Sequence, residues 1–212
     1  MKISLIYPSR GRAAKSFITH ADWISKAHGA DIETIVAVDH TDPTRDQYIA
    51  MYAGMCYVGH HDNVVAAANA AASRATGDIL LYLSDDFKAP DNWPALLIEQ
   101  FQGKSEPMLL KVHDDLQNFG ACVLTIPIVN RSFYDKLKYF FHPGYKSMFC
   151  DEDLYWTAKK LNALKLAPQL VFPHEHVCNG KAPDDETYRR SSANWNQGQE
   201  FFKQRKAAGF PL

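Results

Sequence analysis

The chain has 212 residues, 46% of them apolar or aromatic, enough to bury a sizeable core within one domain. A formal net charge of -1 supplies no global attraction to nucleic acid or to an anionic membrane, so a ligand must be recognised locally. The four cysteines, Cys56, Cys122, Cys150 and Cys178, form no Cys-x-x-Cys pair. That excludes a cysteine-rich zinc cluster and a dense disulfide framework, and it points to a reducing compartment.

In chain order, Lys2 to Tyr7 reads as a first strand, stopped by Pro8, which lacks the amide a central strand needs. Pro8-Ser9-Arg10-Gly11-Arg12 is then a turn with two guanidinium groups, either a bidentate phosphate grip or solvated turn residues. Apolar residues at Phe17, Ala21, Ile24 and Ala27 predict a helix over residues 13–28. Ile32 to Val38 is a second strand, and Asp39 at its end can accept hydrogen bonds from a base or ribose or can simply serve the turn. A helix opened by Asp42 and Pro43, a short strand over 55–58, and an alanine-rich helix over 64–75 capped by Asp62-Asn63 follow.

The most telling stretch is Gly77 to Phe87, a run of apolar residues that ends in Ser84-Asp85-Asp86. It reads as a fully buried parallel strand, and in open α/β sheets ligands bind beyond the carboxyl ends of such strands. Residues 90–102 predict a helix with Trp93, Leu96, Leu97 and Phe101 on its buried side. Strands are expected over 108–112 and 121–126, and a helix over 130–139. The acidic run Asp151-Glu152-Asp153 opens a helix at Leu154, where acids either complement the helix dipole or supply a general base. A short strand over 170–173 ends in His174-Glu175-His176, with both imidazoles projecting to one side. Residues 177–212 read as a lid-like loop and a C-terminal helix over 193–208. No repeat or linker divides the chain, so residues 1–212 are expected to form one α/β domain with a mostly parallel central sheet flanked by helices. The absence of a signal-peptide core at Met1 and of any long apolar run predicts a cytoplasmic protein without a transmembrane anchor.

Three clusters thus fall at strand ends or a helix start. A Mg²⁺ or Mn²⁺ ion that also binds a diphosphate needs only one or two carboxylates, and Mn²⁺ accepts imidazole as well. Asp86, Asp85 and a histidine would suffice, while His174 and His176 with a distant Asp would equally ligate Zn²⁺.

In their order these residues resemble the nucleotide-sugar-dependent glycosyltransferases of the GT-A fold, a Rossmann-like architecture, and in particular the large family 2. Pro8-Ser9-Arg10-Gly11-Arg12 looks like that family's opening Pro-Thr-Arg-x-Arg, and Val38-Asp39 resembles the end of its second strand. Asn69 to Asp86 resembles its progression Asn-x-Gly, Ala-x-Gly-Asp, Leu-Asp-x-Asp. Asp151-Glu152-Asp153-Leu154 looks like its Glu-Asp-x-Asp-Leu base region, and His174 or His176 matches a late metal ligand. The resemblance implies donor binding by Pro8, Ser9, Arg10, Arg12, Asp39, Asn69, Ser84 and Asp85, while composition and position alone put Arg189, with Arg190 or Lys181 as its alternatives, in the lid as a charge-stabilising residue. It implies Mn²⁺ or Mg²⁺ on Asp86 with His174 or His176, and Asp151 as the base with Asp153 in reserve. Ser84 stands where the first acid of Asp-x-Asp is usual, Ala68 replaces an arginine, and Cys150 aligns with the usual Glu.

The function so implied is metal-dependent, inverting transfer of a sugar from a nucleotide-diphosphate sugar, a UDP-sugar first, to an acceptor hydroxyl. The acceptor stays open between a small molecule, a glycan and a modified nucleobase in DNA. The alternatives are a nucleotidyltransferase of similar fold, a zinc-dependent hydrolase using His174 and His176, and a non-catalytic sugar-nucleotide binding module.

Overall fold

A computed structural model describes all 212 residues. The strands β1 (Ile3–Pro8), β2 (Ile32–Asp39), β3 (Cys56–Gly59) and β4 (Ile79–Tyr82) alternate with the helices α1 (Ala13–Ser25), α2 (Arg45–Met51) and α3 (Val64–Ala72), giving successive helical crossings within one parallel block. After α4 (Trp93–Phe101) the chain adds β5 (Leu109–His113), β6 (Ile128–Asn130), α5 (Arg131–Leu137), α6 (Cys150–Lys160) and β7 (Leu164–Val171), then α7 (Glu186–Ser192) and α8 (Trp195–Ala207). The seven strands lie in the order β3-β2-β1-β4-β6-β5-β7, with β6 antiparallel to both neighbours and the remaining pairs parallel.

Alternation along the strands sends side chains to two cores. Leu5, Tyr7, Val36, Val38 and Leu81 pack under α1, α2 and α4 with Trp23, Tyr48, Tyr52 and Trp93. Ile6, Ile35, Ala37 and Leu80 meet the alanines of α3, Phe133 of α5, and Leu154 and Ala158 of α6. The small side chains of α3 let that helix lie close on β1 and β2. No helix is long and apolar enough to cross a membrane.

The sequence expectations hold for β1 to β4 and shift further on. Residues 121–126 are not a strand: the strand is Ile128–Asn130, and the preceding segment is held as a loop. Asp114 binds it at both ends, accepting from the amides of Leu116 and Gln117 and from the Thr125 hydroxyl at 2.7 Å, while Lys111 donates to the Ala121 carbonyl. The last strand begins at Leu164 rather than Leu170, and it tolerates Pro168 because it is an edge strand. Within the lid-like stretch a short helix, α7, forms on an Asp185 N-cap that accepts from the amides of Thr187 and Tyr188.

The amino ends of the strands are stapled by Glu33. Its carboxylate pairs with Lys2 at 2.7 Å and accepts from Ser4 Oγ and from the amides of Thr76 and Gly77. A side chain on Gly77 would meet Ser4 Oγ at 2.5 Å and the Ser4 amide at 2.8 Å, so the close approach requires glycine. Burial works to raise the Glu33 pKa, but the bonds from Lys2, Ser4 and Thr76 prevail and lower it from 4.5 to about 2. A depressed carboxylate contributes stability above its unfolded pKa and loses it as pH falls through the folded value. Glu33→Ala should therefore destabilise the fold by about 1–3 kcal/mol at neutral pH, through stranded donors. In denaturant titrations the gap from wild type should narrow between pH 4.5 and pH 2; a gap constant with pH would refute this role.

Candidate active site

The carboxyl ends of β1, β2 and β4 open onto one cavity of about 560 Å³, within the range of ligand sites. β1 delivers Pro8, Ser9, Arg10 and Arg12, β2 delivers Asp39, and β4 delivers Ser84, Asp85 and Asp86. His174 and His176 arrive from beyond β7 because Phe87 and His174 form an antiparallel bridge and the Glu175 amide bonds the Asp86 carbonyl at 2.7 Å. These ten residues were all expected from the sequence, and the structure brings them together.

At one end of the cavity Asp39 accepts from Arg10 Nη1 at 3.1 Å, from the Thr41 amide at 2.9 Å and from the His61 amide at 2.8 Å. Burial pushes its pKa up, yet those donors outweigh it and hold the carboxyl well below the usual range. Asp39 is thus a fixed, ionised acceptor at the cavity wall.

The two central acids have opposite environments. Asp85 accepts from Tyr7 Oη at 2.7 Å and Ser9 Oγ at 2.9 Å, with Arg12 Nη1 at 4.0 Å, so it turns back into the β1–α1 corner. Burial pushes it up to about 6 in spite of these partners, and the charge of Asp86 adds to the rise. In Asp86 burial is again the largest influence and is overcome, here by His174, Ser84 and Tyr188, which hold the carboxyl well below the usual range. The pair therefore carries one negative charge firmly, on Asp86, and a second that titrates near pH 6.

Asp86, His174 and His176 offer one ligand atom each, all within 4.8 Å of one another. His174 Nε2 lies 3.3 Å from Asp86 Oδ2, and the ring stacks on Phe87 at 4.1 Å, which fixes its plane. Asp86 Oδ1 is buried with no hydrogen-bond partner, the state of a ligand awaiting an occupant, and His174 Nδ1 is likewise buried and unpartnered. His176 differs, because its Nδ1 accepts from the Cys178 amide at 3.1 Å. A neutral imidazole with an accepting Nδ1 carries its proton on Nε2 and has no lone pair there for a metal. His174 has no such conflict, and the charge of Asp114, 4.0 Å from its Nδ1, favours the tautomer with the proton on Nδ1 and Nε2 free to ligate. One carboxylate and one or two imidazoles fit Mn²⁺ well, and Mg²⁺ less well.

Four expected residues do not line the cavity. Asn69 binds the loop after α5, donating to the Phe141 carbonyl at 2.7 Å and accepting from the amides of Phe140 and Phe141. Arg189 points to solvent and pairs with Asp184 at 3.0 Å, while Arg190 lines the cavity instead. Asp153, the reserve base, is buried against Arg205 of α8, with bonds of 2.8 and 3.1 Å, and it also accepts from Tyr145 Oη and Thr157 Oγ1. With both oxygens so committed it anchors the C-terminal helix and is no base. Arg205→Met, which strands Asp153, should cost about 3–5 kcal/mol in urea unfolding; a loss below about 1 kcal/mol would contradict this anchoring role.

Asp151 lies in the first turn of α6, partly buried. Burial raises its pKa, against the amides of Glu152 and Leu124 and the charge of Lys111. It does not line the cavity; Tyr82, a lining residue, has its hydroxyl pushed up first by burial and then by neighbours that include Cys150, Asp86, Asp85 and Asp151.

Residues that sequence reasoning missed include His61, Asn63, Lys146, Ser147, Thr187, Tyr188 and Asn194. A signal was present for α7: Thr187, Arg190, Ser191 and Asn194 recur at helical spacing and share one face, from which Arg189 is excluded. From α7, Asp185 pairs with Arg12 through two bonds of 2.7 Å, and Tyr188 Oη donates to Asp86 Oδ2 at 2.9 Å.

The chain has the GT-A fold, the fold of the solved glycosyltransferase structures that it resembles. No family model matches the sequence, and no curated protein matches it. Solved structures do. TarS of S. aureus in complex with UDP-GlcNAc is similar over 89% of this chain and 61% of its own, at a TM-score of 0.66 and 13% identity. The mannosyltransferase PcManGT of Pyrobaculum calidifontis, in complex with GDP-Man and Mn²⁺, is similar over 82% of this chain and 56% of its own, at 0.64 and 12%. Glucosyl-3-phosphoglycerate synthase of Mycobacterium tuberculosis, with Mn²⁺, UDP and glucosyl-3-phosphoglycerate, is similar over 82% and 72%, at 0.58 and 17%. The chain spans about 60% of the length of the TarS and PcManGT structures.

Proposed function

We propose that this protein is a metal-dependent, inverting glycosyltransferase of the family 2 type that takes its sugar from a nucleotide-diphosphate sugar, with UDP-sugars first. The observation that carries the reading is the buried, unpartnered Asp86 Oδ1 beside His174, in the same cavity as Arg10, Arg12 and Asp39. Asp39, held ionised, accepts a ring N–H of the base, and Arg12 faces the diphosphate. Asp86 and His174 would hold Mn²⁺ or Mg²⁺, and the cation would supply positive charge to offset that of the diphosphate. His176 stands behind, as a ligand only after its ring gives up the Cys178 amide. Asp151 takes the proton of the acceptor hydroxyl, the freed oxygen bonds to the anomeric carbon from the opposite face, and the bond from that carbon to the diphosphate oxygen breaks. The raised pKa of Asp151 suits a base. Residues 1–212 form a single domain in this reading, and four unpaired cysteines are consistent with the cytoplasm.

The Asp-His-His group would also suit zinc once His176 gives up the Cys178 amide, and stoichiometric zinc in the purified protein with hydrolysis of a non-nucleotide substrate would support a hydrolase instead. The deciding experiment is a screen of nucleotide sugars with Mn²⁺ or Mg²⁺, following sugar release or transfer. Turnover of one donor in the presence of metal supports the proposal, and no turnover or binding of any nucleotide with either metal ends it.

A further inference from the structure

α7 has no buried residue. A helix without core side chains is held by its polar contacts, and those contacts fall on the two groups that a donor requires. Asp185 takes Arg12 Nε and Nη2 at 2.7 Å each, leaving Nη1 4.0 Å from Asp85, so the Nε–Nη2 edge that would grip a phosphate bidentately is committed. The Arg12 guanidinium lies 4.4 Å over the Tyr188 ring, which meets the His176 ring edge-on at 4.6 Å, and the Tyr188 hydroxyl donates to Asp86 Oδ2. Thr187 Oγ1 bonds the Arg10 carbonyl at 3.2 Å, and Ser147 Oγ bonds the Ser191 carbonyl at 2.9 Å.

We propose that α7 is an internal competitor of the donor: the Asp185 carboxylate stands in for a phosphate on Arg12 while Tyr188 blocks Asp86, and a nucleoside diphosphate with its cation binds only as both contacts break. The proposal rests on the donor-site reading above. A carboxylate presents to guanidinium the same paired acceptor oxygens as a phosphate, so the exchange swaps one bidentate partner for another. The contacts number few and no residue of α7 is buried in the core, so release of the helix is local rather than global. A closed form that cannot bind lowers the apparent affinity by the fraction of molecules that are open.

Two conservative substitutions isolate the contacts. Asp185→Asn keeps an N-cap of equal quality and removes the charge on Arg12, and Tyr188→Phe keeps the ring while removing the hydroxyl on Asp86. Each variant is expected to bind UDP in Mn²⁺ about three- to tenfold more tightly than wild type in calorimetry. Without any ligand, trypsin should cut the doubly substituted protein after the exposed Lys181, Arg189 or Arg190 about tenfold faster than wild type. Weaker UDP binding in both variants would overturn the proposal, because α7 would then be part of the donor's surface. An unchanged trypsin rate would overturn it whatever UDP does. If neither wild type nor variants bind UDP while the trypsin rate still rises, the donor reading fails, and with it the role of α7 as a competitor.

Discussion

Asp86→Asn should weaken Mn²⁺-dependent binding of UDP by at least about a hundredfold, since it removes the carboxylate of the three-residue group. Asp86 is held ionised well below the usual carboxylate range, so the substitution removes a full charge at neutral pH while preserving volume. The Tyr188 hydroxyl still finds an acceptor in the asparagine, which keeps α7 in place. His174→Ala should act in the same direction, and His176→Ala less, because the His176 Nδ1 is already engaged by the Cys178 amide. Calorimetry with UDP, with and without Mn²⁺, checks all three. Unaltered affinity in Asp86→Asn would remove the metal site from the mechanism.

Asp151→Asn should leave UDP binding within about twofold of wild type and lower kcat by about 10²- to 10⁴-fold, the usual share of a general base. Asp151 is not among the residues that line the cavity with Arg12, Asp39 and Asp86, so its loss should touch the acceptor proton and not the donor. The pH profile gives a second reading. A base works when deprotonated, and burial raises this carboxyl, so wild-type kcat should climb with pH through an inflection above the ordinary carboxylate range. That inflection should vanish in Asp151→Asn. A full loss of UDP binding, or retention of kcat, would assign Asp151 to structure.

The parallel half of the fold was legible because each strand there is a short apolar run closed by a turn residue, as in Ile32 to Asp39, and because crossings are local. The second half was less so. Residues 121–126 are apolar enough for a strand, but Asp114 and Lys111, ten residues or so away, bind them as a loop, a tertiary effect no window detects. The donor-side residues were legible since they sit directly at strand ends. Asp153 and Asn69 were misleading for one reason: a polar side chain in the right order can face a helix or a loop as easily as a ligand, and only Arg205 and the Phe140-Phe141 amides reveal which. Tyr188 carried no signal of its own, since its place on Asp86 depends on a contact 102 residues apart in sequence.

The most direct measurement is calorimetric titration of the wild-type protein with UDP, in Mn²⁺ and in chelator. Saturable, one-to-one binding that requires the metal is the predicted result. No binding in either condition, or equal binding in both, would contradict a donor site built on Asp86 and His174.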